Sequence, residues 1–146
     1  MQPIELRDFP LMAEKIRTAG RVLVVDDEPL IRWSVAETLG ARGYEVVETG
    51  DASSARSAVA KDADDFDVVL LDFRLPDSDD LSLLASIRRD SPHAQVILMT
   101  AFSRPEVVRG ALDLGAYRVV NKPFEMQDIA DLVAEAHLAR LHHENH

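Results

Sequence analysis

Short, almost wholly apolar runs recur along the chain, and each leads into a polar side chain. Residues 22–25 (VLVV) precede Asp26 and Asp27, and residues 68–71 (VVLL) precede Asp72. Runs without alternating polar positions are typical of strands buried on both faces of a parallel sheet. These two segments therefore predict buried parallel strands that each end on carboxylates.

Three further segments complete the predicted strands. Residues 96–99 (VILM) precede Thr100, and Val119 and Val120 lead through Asn121 to Lys122. Residues 44–49 fit the remaining strand, which is second in chain order. The pattern predicts five strands in all.

Helical patterns separate the strands. Pro29 suits the first turn of a helix, and Gly40 and Gly43 offer its end. Asp51 can cap an Ala-rich helix that runs to about Lys61. The remaining helices are predicted to start near residue 81, to cover residues 104–114 before Gly115, and to end near Leu141. Strands alternating with helices predict an α/β fold, a doubly wound parallel sheet covered on both faces.

Composition narrows the functional classes. The 146 residues suit one domain with a buried core. A net charge of −10 argues against a direct nucleic-acid partner, and the absence of cysteine excludes disulfides and thiolate metal sites. No apolar run approaches the roughly 20 residues that span a bilayer, and no signal peptide is apparent. We therefore expect a cytoplasmic protein with no membrane contact.

The expected organisation has three parts. Residues 1–20 form a short N-terminal extension, residues 21–141 form the folded domain, and residues 142–146 form a flexible tail.

The polar residues that follow the strands point to metal and phosphate chemistry. The carboxyl ends of parallel strands form one ligand crevice, so Asp26, Asp27 and Asp72 should meet there. Two unit charges about 4 Å apart repel by about 4 kcal/mol at an effective dielectric constant near 20. The carboxylates must therefore be partly protonated or neutralised by cations. Lys122 supplies one positive charge, and Mg²⁺, which prefers oxygen ligands, suits the rest.

Four motifs together resemble the receiver domain of bacterial two-component response regulators. They are residues 24–28 (VVDDE), 70–72 (LLD), 98–101 (LMTA) and 121–124 (NKPF). The resemblance covers residues 21–141. The segment IRW at residues 31–33 is most similar to receivers of the nitrogen-regulatory, NtrC-like group. It implies a flavodoxin-like sheet of strand order 2-1-3-4-5.

The resemblance also implies a role for each site residue. Asp72 would be the phosphoacceptor, and Mg²⁺ would be held by Asp26, Asp27, Asp72 and the backbone carbonyl of Arg74. The hydroxyl of Thr100, the backbone N–H of Ala101 and the ammonium of Lys122 would bind phosphoryl oxygens.

The implied partners follow from that chemistry. The phosphoryl group would come from a sensor histidine kinase, a phosphotransfer protein or a small donor such as acetyl phosphate, and would later be lost to water. The domain would act as a signalling phosphoacceptor rather than a conventional enzyme. Its output surface, a face for partners or a homodimer, would be the fourth helix, fifth strand and fifth helix. Trp33 on the first helix either packs under the N-terminal extension or contacts a partner, and the resemblance makes it a candidate contact for the kinase.

Two positions depart from the family pattern. Val119 stands where a rotating Phe or Tyr is usual, and its branched side chain cannot make the same swing. Tyr117, two residues earlier, should face the same side of the strand but lies too far along it to substitute. Asp80 replaces a usual Gly, and the loop is expected to form because Asp tolerates left-handed backbone. With Asp77 and Asp79, it should add negative potential near the site.

Two other functions remain open from the sequence. One is a receiver-like interaction or dimerisation module with an impaired switch, suggested by Val119. The other is a different Mg²⁺-dependent phosphotransferase or phosphatase with an aspartyl nucleophile. Against the latter, Phe73 and Arg74 leave no second carboxylate two residues after Asp72 to act as a general acid.

Overall fold

Five strands and five helices alternate along residues 20–61 and 66–144, the part of the chain that the computed structural model describes. In chain order they are β1 Arg21–Val25, α1 Pro29–Ala41, β2 Glu45–Thr49, α2 Ala52–Lys61, β3 Val68–Asp72, α3 Ser82–Asp90, β4 Gln95–Thr100, α4 Pro105–Asp113, β5 Arg118–Asn121 and α5 Met126–Glu144. The predicted alternation is confirmed.

The sheet is parallel throughout, with strand order β2-β1-β3-β4-β5. The order expected from the resemblance is therefore confirmed. The first described strand, β1, lies inside the sheet, β2 pairs with it on one side, and the chain then crosses to β3 on the other. Val25 of β1 pairs with Leu71 of β3, so the residues that follow them, Asp26 and Asp72, emerge side by side.

The three central strands have no solvent-exposed face, because helices cover both sides of the sheet. One layer lies under α2, α3 and α4 and includes Leu23, Leu71 and Leu98. The opposite layer lies under α1 and α5 and includes Val24, Leu70 and Met99. Successive residues of a strand point to opposite faces, so each run needs apolar residues at every position. This burial explains the unbroken apolar runs.

Glycine ends two of the helices in the same way. After α1, Gly43 has a φ of 96° and donates its N–H to the carbonyl of Gly40 at 3.0 Å. After α4, Gly115 has a φ of 97° and donates to Leu112 at 3.0 Å. In each case the next N–H reaches one residue further back, which completes a Schellman motif. Gly43 and Gly115 thus confirm the predicted helix ends.

The sequence predicts an extension at one end of the chain and a flexible tail at the other. The N-terminal extension lies outside the described residues, except for Gly20. At the other end, α5 continues to Glu144 rather than ending near Leu141, so part of the predicted tail is helical. Among the described helices, none combines the length and apolar character needed to cross a membrane.

Replacing Gly115 or Gly40 with Ala should change stability in opposite directions. Gly115 requires a positive φ, and a Cβ there would lie 2.9 Å from Arg88 Nε. We expect Gly115→Ala to lower the free energy of unfolding by about 1–2 kcal/mol. A Cβ on helical Gly40 meets nothing within 4 Å, so Gly40→Ala should raise it by about 0.5–1 kcal/mol. Urea unfolding measures both, and equal shifts in the two variants would contradict this account of the helix ends.

Candidate functional site

The ammonium of Lys122 lies at the centre of the candidate site. Its Nζ donates to Asp26 Oδ2 at 2.8 Å, to Asp72 Oδ2 at 3.0 Å and to Glu28 Oε1 at 3.1 Å. The Lys122 side chain is only 9% exposed, and Asp26 is fully buried. The ends of β1, β3 and β5 supply these groups, as expected for one edge of a parallel sheet. The predicted convergence of Asp26, Asp72 and Lys122 is present.

Four carboxylates crowd this edge. Each of Asp26, Asp27, Glu28 and Asp72 offers an oxygen, and these oxygens lie within 4.8 Å of one another. One ammonium cannot offset four negative charges at such distances. Clustered carboxylate oxygens that are partly open to solvent are the donors that a hard divalent cation prefers. The donor set therefore fits Mg²⁺.

Burial and neighbouring charges have opposite effects on the pKa of Asp72 and on the pKa of Lys122. Burial raises the pKa of Asp72 to about 6, although its contact with Lys122 pulls it down. Burial disfavours the charged form of Lys122, but hydrogen bonds to Asp26 and Asp72 outweigh this and raise its pKa above the usual value. Lys122 therefore stays protonated, and its ammonium favours the ionised form of Asp72, which is the form that can attack phosphorus.

The turn between β1 and α1 carries three consecutive acids in fixed positions. Asp26 Oδ1 accepts the backbone N–H of Glu28 at 2.9 Å, and the N–H of Asp26 donates to the carbonyl of Thr49 at 3.1 Å. Asp27 and Glu28 remain exposed beside the buried Asp26. The turn thus presents the buried Asp26 and the exposed Glu28 to Lys122, and it leaves Asp27 open to solvent.

The loop after β3 begins at the candidate phosphoacceptor. The N–H of Arg74 approaches Asp72 Oδ1 at 3.4 Å, and the N–H of Phe73 donates to the carbonyl of Met99 at 2.8 Å. Leu75 and Ser78 then exchange backbone hydrogen bonds of 2.8 and 3.2 Å, which close a tight turn. These bonds keep the backbone of Arg74 next to Asp72.

Two acids of this loop, Asp77 and Asp80, accept hydrogen bonds from the N-terminal ends of helices. Asp77 accepts the N–H groups of Ala52 and Ser53 at the start of α2, which lowers its pKa. Asp80 accepts from Ser82 at the start of α3, which likewise lowers its pKa. These two carboxylates cap helices, and neither lines the cleft beside Asp72. The loop forms as expected, and it does so without left-handed backbone at Asp80, because no described residue other than glycine has a positive φ.

Thr100 is buried at the end of β4, and its hydroxyl is already engaged. Oγ1 donates to the carbonyl of Phe102 and accepts its N–H, both at 3.2 Å. Phe102 is 64% exposed, and the guanidinium of Arg74 lies 5.5 Å from its ring centre. A cleft of about 240 Å³ connects these groups; it is lined by Asp27, Glu28, Asp72, Arg74, Thr100, Ala101, Phe102 and Lys122.

Val119 and Tyr117 lie in different layers. Val119 pairs with Leu98 and packs in the layer under α2, α3 and α4. Tyr117 packs in the opposite layer, and its hydroxyl donates to Glu135 of α5 at 2.9 Å. The expectation that the two side chains share a face is wrong, because Tyr117 precedes β5 and does not follow its alternation.

Three residues at the site escaped the sequence reasoning. Glu28 contacts Lys122, and its place after Asp26 and Asp27 was a usable signal. Phe102 holds Thr100 through backbone groups, which give no signal in the sequence. Arg32 donates to the carbonyl of Asp26 at 2.8 Å, a contact that helical periodicity does not reveal.

Comparisons with known proteins place these features in a family. The family model described as "Response regulator receiver domain" matches residues 22–134. The response regulator protein FleR of Pseudomonas aeruginosa is 36% identical over 123 residues, which cover 84% of this chain and 26% of FleR. The DNA-binding transcriptional regulator NtrC of Salmonella typhimurium is 34% identical over 117 residues, which cover 80% of this chain and 24% of NtrC.

Nearly the whole length of one solved structure superposes on this chain. The CheY-like response regulator receiver domain protein of Methanospirillum hungatei JF-1 superposes with a TM-score of 0.80 at 26% identity, covering 85% of this chain and 98% of that one. By contrast, the chain spans about a quarter of the length of FleR and of NtrC.

Proposed function

The chain belongs to the response regulator receiver domain family of two-component signalling, and from that premise we propose that Asp72 is its phosphoacceptor. The observation that carries the proposal is the contact of Lys122 Nζ with Asp72 at 3.0 Å and with Asp26 at 2.8 Å, at the end of three strands. We further propose that the donor is a phosphohistidine on a sensor kinase or phosphotransfer protein.

The chemistry needs a nucleophile and a way to offset charge. An oxygen of the Asp72 carboxylate attacks phosphorus, the P–N bond of the phosphohistidine breaks, and the imidazole nitrogen keeps the bonding electrons and takes a proton. Lys122 lies where its ammonium can offset negative charge on the transferring phosphoryl oxygens. Later attack of water on the same phosphorus would restore the carboxylate and release phosphate.

Mg²⁺ fits the acids beside Asp72. Both side-chain oxygens of Asp26 already accept hydrogen bonds, from Lys122 and from Glu28 N–H. This favours the exposed Asp27 as a direct ligand. We propose Asp72 as a second direct ligand, because the N–H of Arg74 approaches its Oδ1 only at 3.4 Å. Asp26 would bind directly or through water, and the carbonyl of Arg74 would complete the set. When bound, Mg²⁺ would neutralise the excess of carboxylates and draw phosphoryl oxygens into the cleft.

The response to phosphorylation would start at Thr100. Its hydroxyl has one proton, so it can donate to a phosphoryl oxygen only by giving up the bond that it donates to the carbonyl of Phe102. The N–H of Ala101 would bind another oxygen. That exchange would bias the residues after β4 towards a second arrangement. We propose that α4, β5 and α5 carry this change to a protein partner or a second copy of the chain.

The structure of β5 favours a second candidate function. Val119 packs among apolar residues at the position where the family usually has a rotating aromatic ring. A receiver whose switch is impaired would still present the same faces as an interaction or dimerisation module. Phosphorylation of Asp72 without any change in its partners would support that candidate.

Phosphorylation by a small donor tests the proposal directly. With Mg²⁺ and either acetyl phosphate or phosphoramidate, intact-mass measurement should show the gain of one phosphoryl group. Asp72→Asn should remove the gain, because the nucleophile is lost, and chelation of Mg²⁺ should do the same. Asp79→Asn, an exposed acid in the same loop, is the control and should be phosphorylated normally. A gain that persists in Asp72→Asn would contradict the assignment.

The surface beside the site has the character of a docking region. Leu30 and Trp33 lie three residues apart on α1 and are 74% and 57% exposed, so they share one side of the helix. An apolar cleft of about 340 Å³ is lined by Ile31 of the same helix and by Pro123, Phe124 and Met126, among others. We propose that the phosphohistidine protein binds here, with Trp33 as a main contact.

Trp33→Ala should slow phosphotransfer from the partner protein without affecting small donors. Loss of a central aromatic contact at an interface costs roughly 2 kcal/mol or more, which is about 30-fold in affinity. The measurement compares transfer rates from a phosphorylated kinase and from acetyl phosphate. Leu138→Ala on α5 removes another exposed apolar side chain, 66% exposed, and should leave both rates unchanged. An unchanged kinase rate in Trp33→Ala rejects the docking role.

A further inference from the structure

The side chain of Arg32 folds back from α1 over the acidic turn that precedes this helix. Its Nη1 donates to the carbonyl of Asp26 at 2.8 Å, and its Nε lies 3.4 Å from Glu48 Oε1 on β2. The side chain is 24% exposed, so the guanidinium is partly shielded from solvent. One planar group therefore joins the acidic turn to the end of the neighbouring strand.

The backbone of Asp26 is held from two directions. Its N–H donates to the carbonyl of Thr49 at 3.1 Å, and its own carbonyl accepts from Arg32. Asp26 is fully buried, so a carbonyl deprived of this donor would be costly and the turn would move to recover a partner. Any such movement would also displace Asp27 and Glu28, which follow directly.

Gly50 leaves room for this arrangement. A Cβ at residue 50 would lie 3.0 Å from Arg32 Nη1 and 3.9 Å from the carbonyl oxygen of Asp26. The backbone after β2 thus passes close to the guanidinium at its bond to Asp26. Because Gly50 has no side chain, the hydrogen bond between Arg32 and Asp26 fits beside the end of β2.

We propose that Arg32 is a positioning residue for the metal site: it fixes the backbone of Asp26 and so the carboxylates of residues 26–28 in the arrangement that binds Mg²⁺. The inference rests on the proposed function. Arg32 would touch neither the metal nor the phosphoryl group and would act through Asp26. A second cation near a Mg²⁺ site weakens metal binding by Coulomb repulsion, so charge alone predicts the opposite effect of removing Arg32.

That difference in sign makes the inference testable with two variants. Arg32→Met removes the charge and the hydrogen bond, whereas Arg32→Lys keeps the charge but loses the planar fork that reaches both Asp26 and Glu48. We expect both variants to raise the Kd for Mg²⁺, measured by calorimetry, by about 10- to 100-fold, as is typical when a group that orients metal ligands is lost. Tighter binding in Arg32→Met, or an unchanged Kd in Arg32→Lys, overturns the inference.

Arg42→Lys is the matched control. Arg42 follows the other end of α1 and pairs with Asp131 at 3.0 Å, and its side chain is 32% exposed. The same chemical change far from the acidic turn should leave the Kd for Mg²⁺ unchanged. A rise in Kd equal to that of Arg32→Lys would show a general effect of destabilising α1 and would overturn the assignment to Arg32.

The rate of phosphorylation from acetyl phosphate gives a second readout. At saturating Mg²⁺ the Arg32→Lys rate should approach that of the unmodified chain, because the reacting groups are intact, whereas at low Mg²⁺ it should fall with the weaker binding. A rate that stays low at saturating Mg²⁺, with an unchanged Kd, contradicts a positioning role. If the unmodified chain neither binds Mg²⁺ nor gains a phosphoryl group, the proposed function fails and this inference fails with it. If the unmodified chain binds Mg²⁺ and gains a phosphoryl group, and Arg32→Lys does both equally well, only the inference about Arg32 is overturned.

Discussion

The structure depends on the contacts that the ammonium of Lys122 makes with two buried carboxylates. The ammonium joins Asp26, 96 residues away along the chain, to Asp72, 50 residues away, with contacts of 2.8 and 3.0 Å in a buried setting. Two carboxylates at such range repel by about 4 kcal/mol at an effective dielectric constant near 20, a large share of the roughly 5–15 kcal/mol that stabilises a domain. Without a central cation, ending β1 and β3 side by side on ionised carboxylates would remove a large part of the stability of the domain.

The division between rigid and adaptable parts follows from this arrangement. The charged groups come from the ends of strands whose side chains are packed on both faces, so their spacing is set by the sheet. The groups that would respond to a phosphoryl ligand lie at or just after strand ends: the Thr100 hydroxyl bonds the backbone of Phe102, and Arg74 rests against an exposed ring. A site of this kind can bind a highly charged group without moving its core while passing the change to the loop after β4.

Much of the architecture could be predicted from the sequence because the relevant forces are local or periodic. Burial on both faces demands unbroken apolar strands, and left-handed helix ends demand glycine at residues 43 and 115. The meeting of Asp26, Asp72 and Lys122 follows from parallel topology. The direction of loop side chains does not follow from these rules. Asp77 caps α2 through a contact that exists only once distant elements have packed. Asp80 and Arg32 bond near neighbours in the sequence, but both bonds are made at turns, which are not periodic and give no pattern to read.

A double-mutant cycle between Lys122 and Asp26, measured by urea unfolding without divalent metal, tests the central claim most directly. Lys122→Met leaves buried carboxylates without their cation and should lower the free energy of unfolding by roughly 3–5 kcal/mol. Adding Asp26→Asn removes one of those charges, so the double variant should be more stable than the sum of the single effects predicts. Effects that add to within about 0.5 kcal/mol would show that the two side chains are not coupled and would contradict this account.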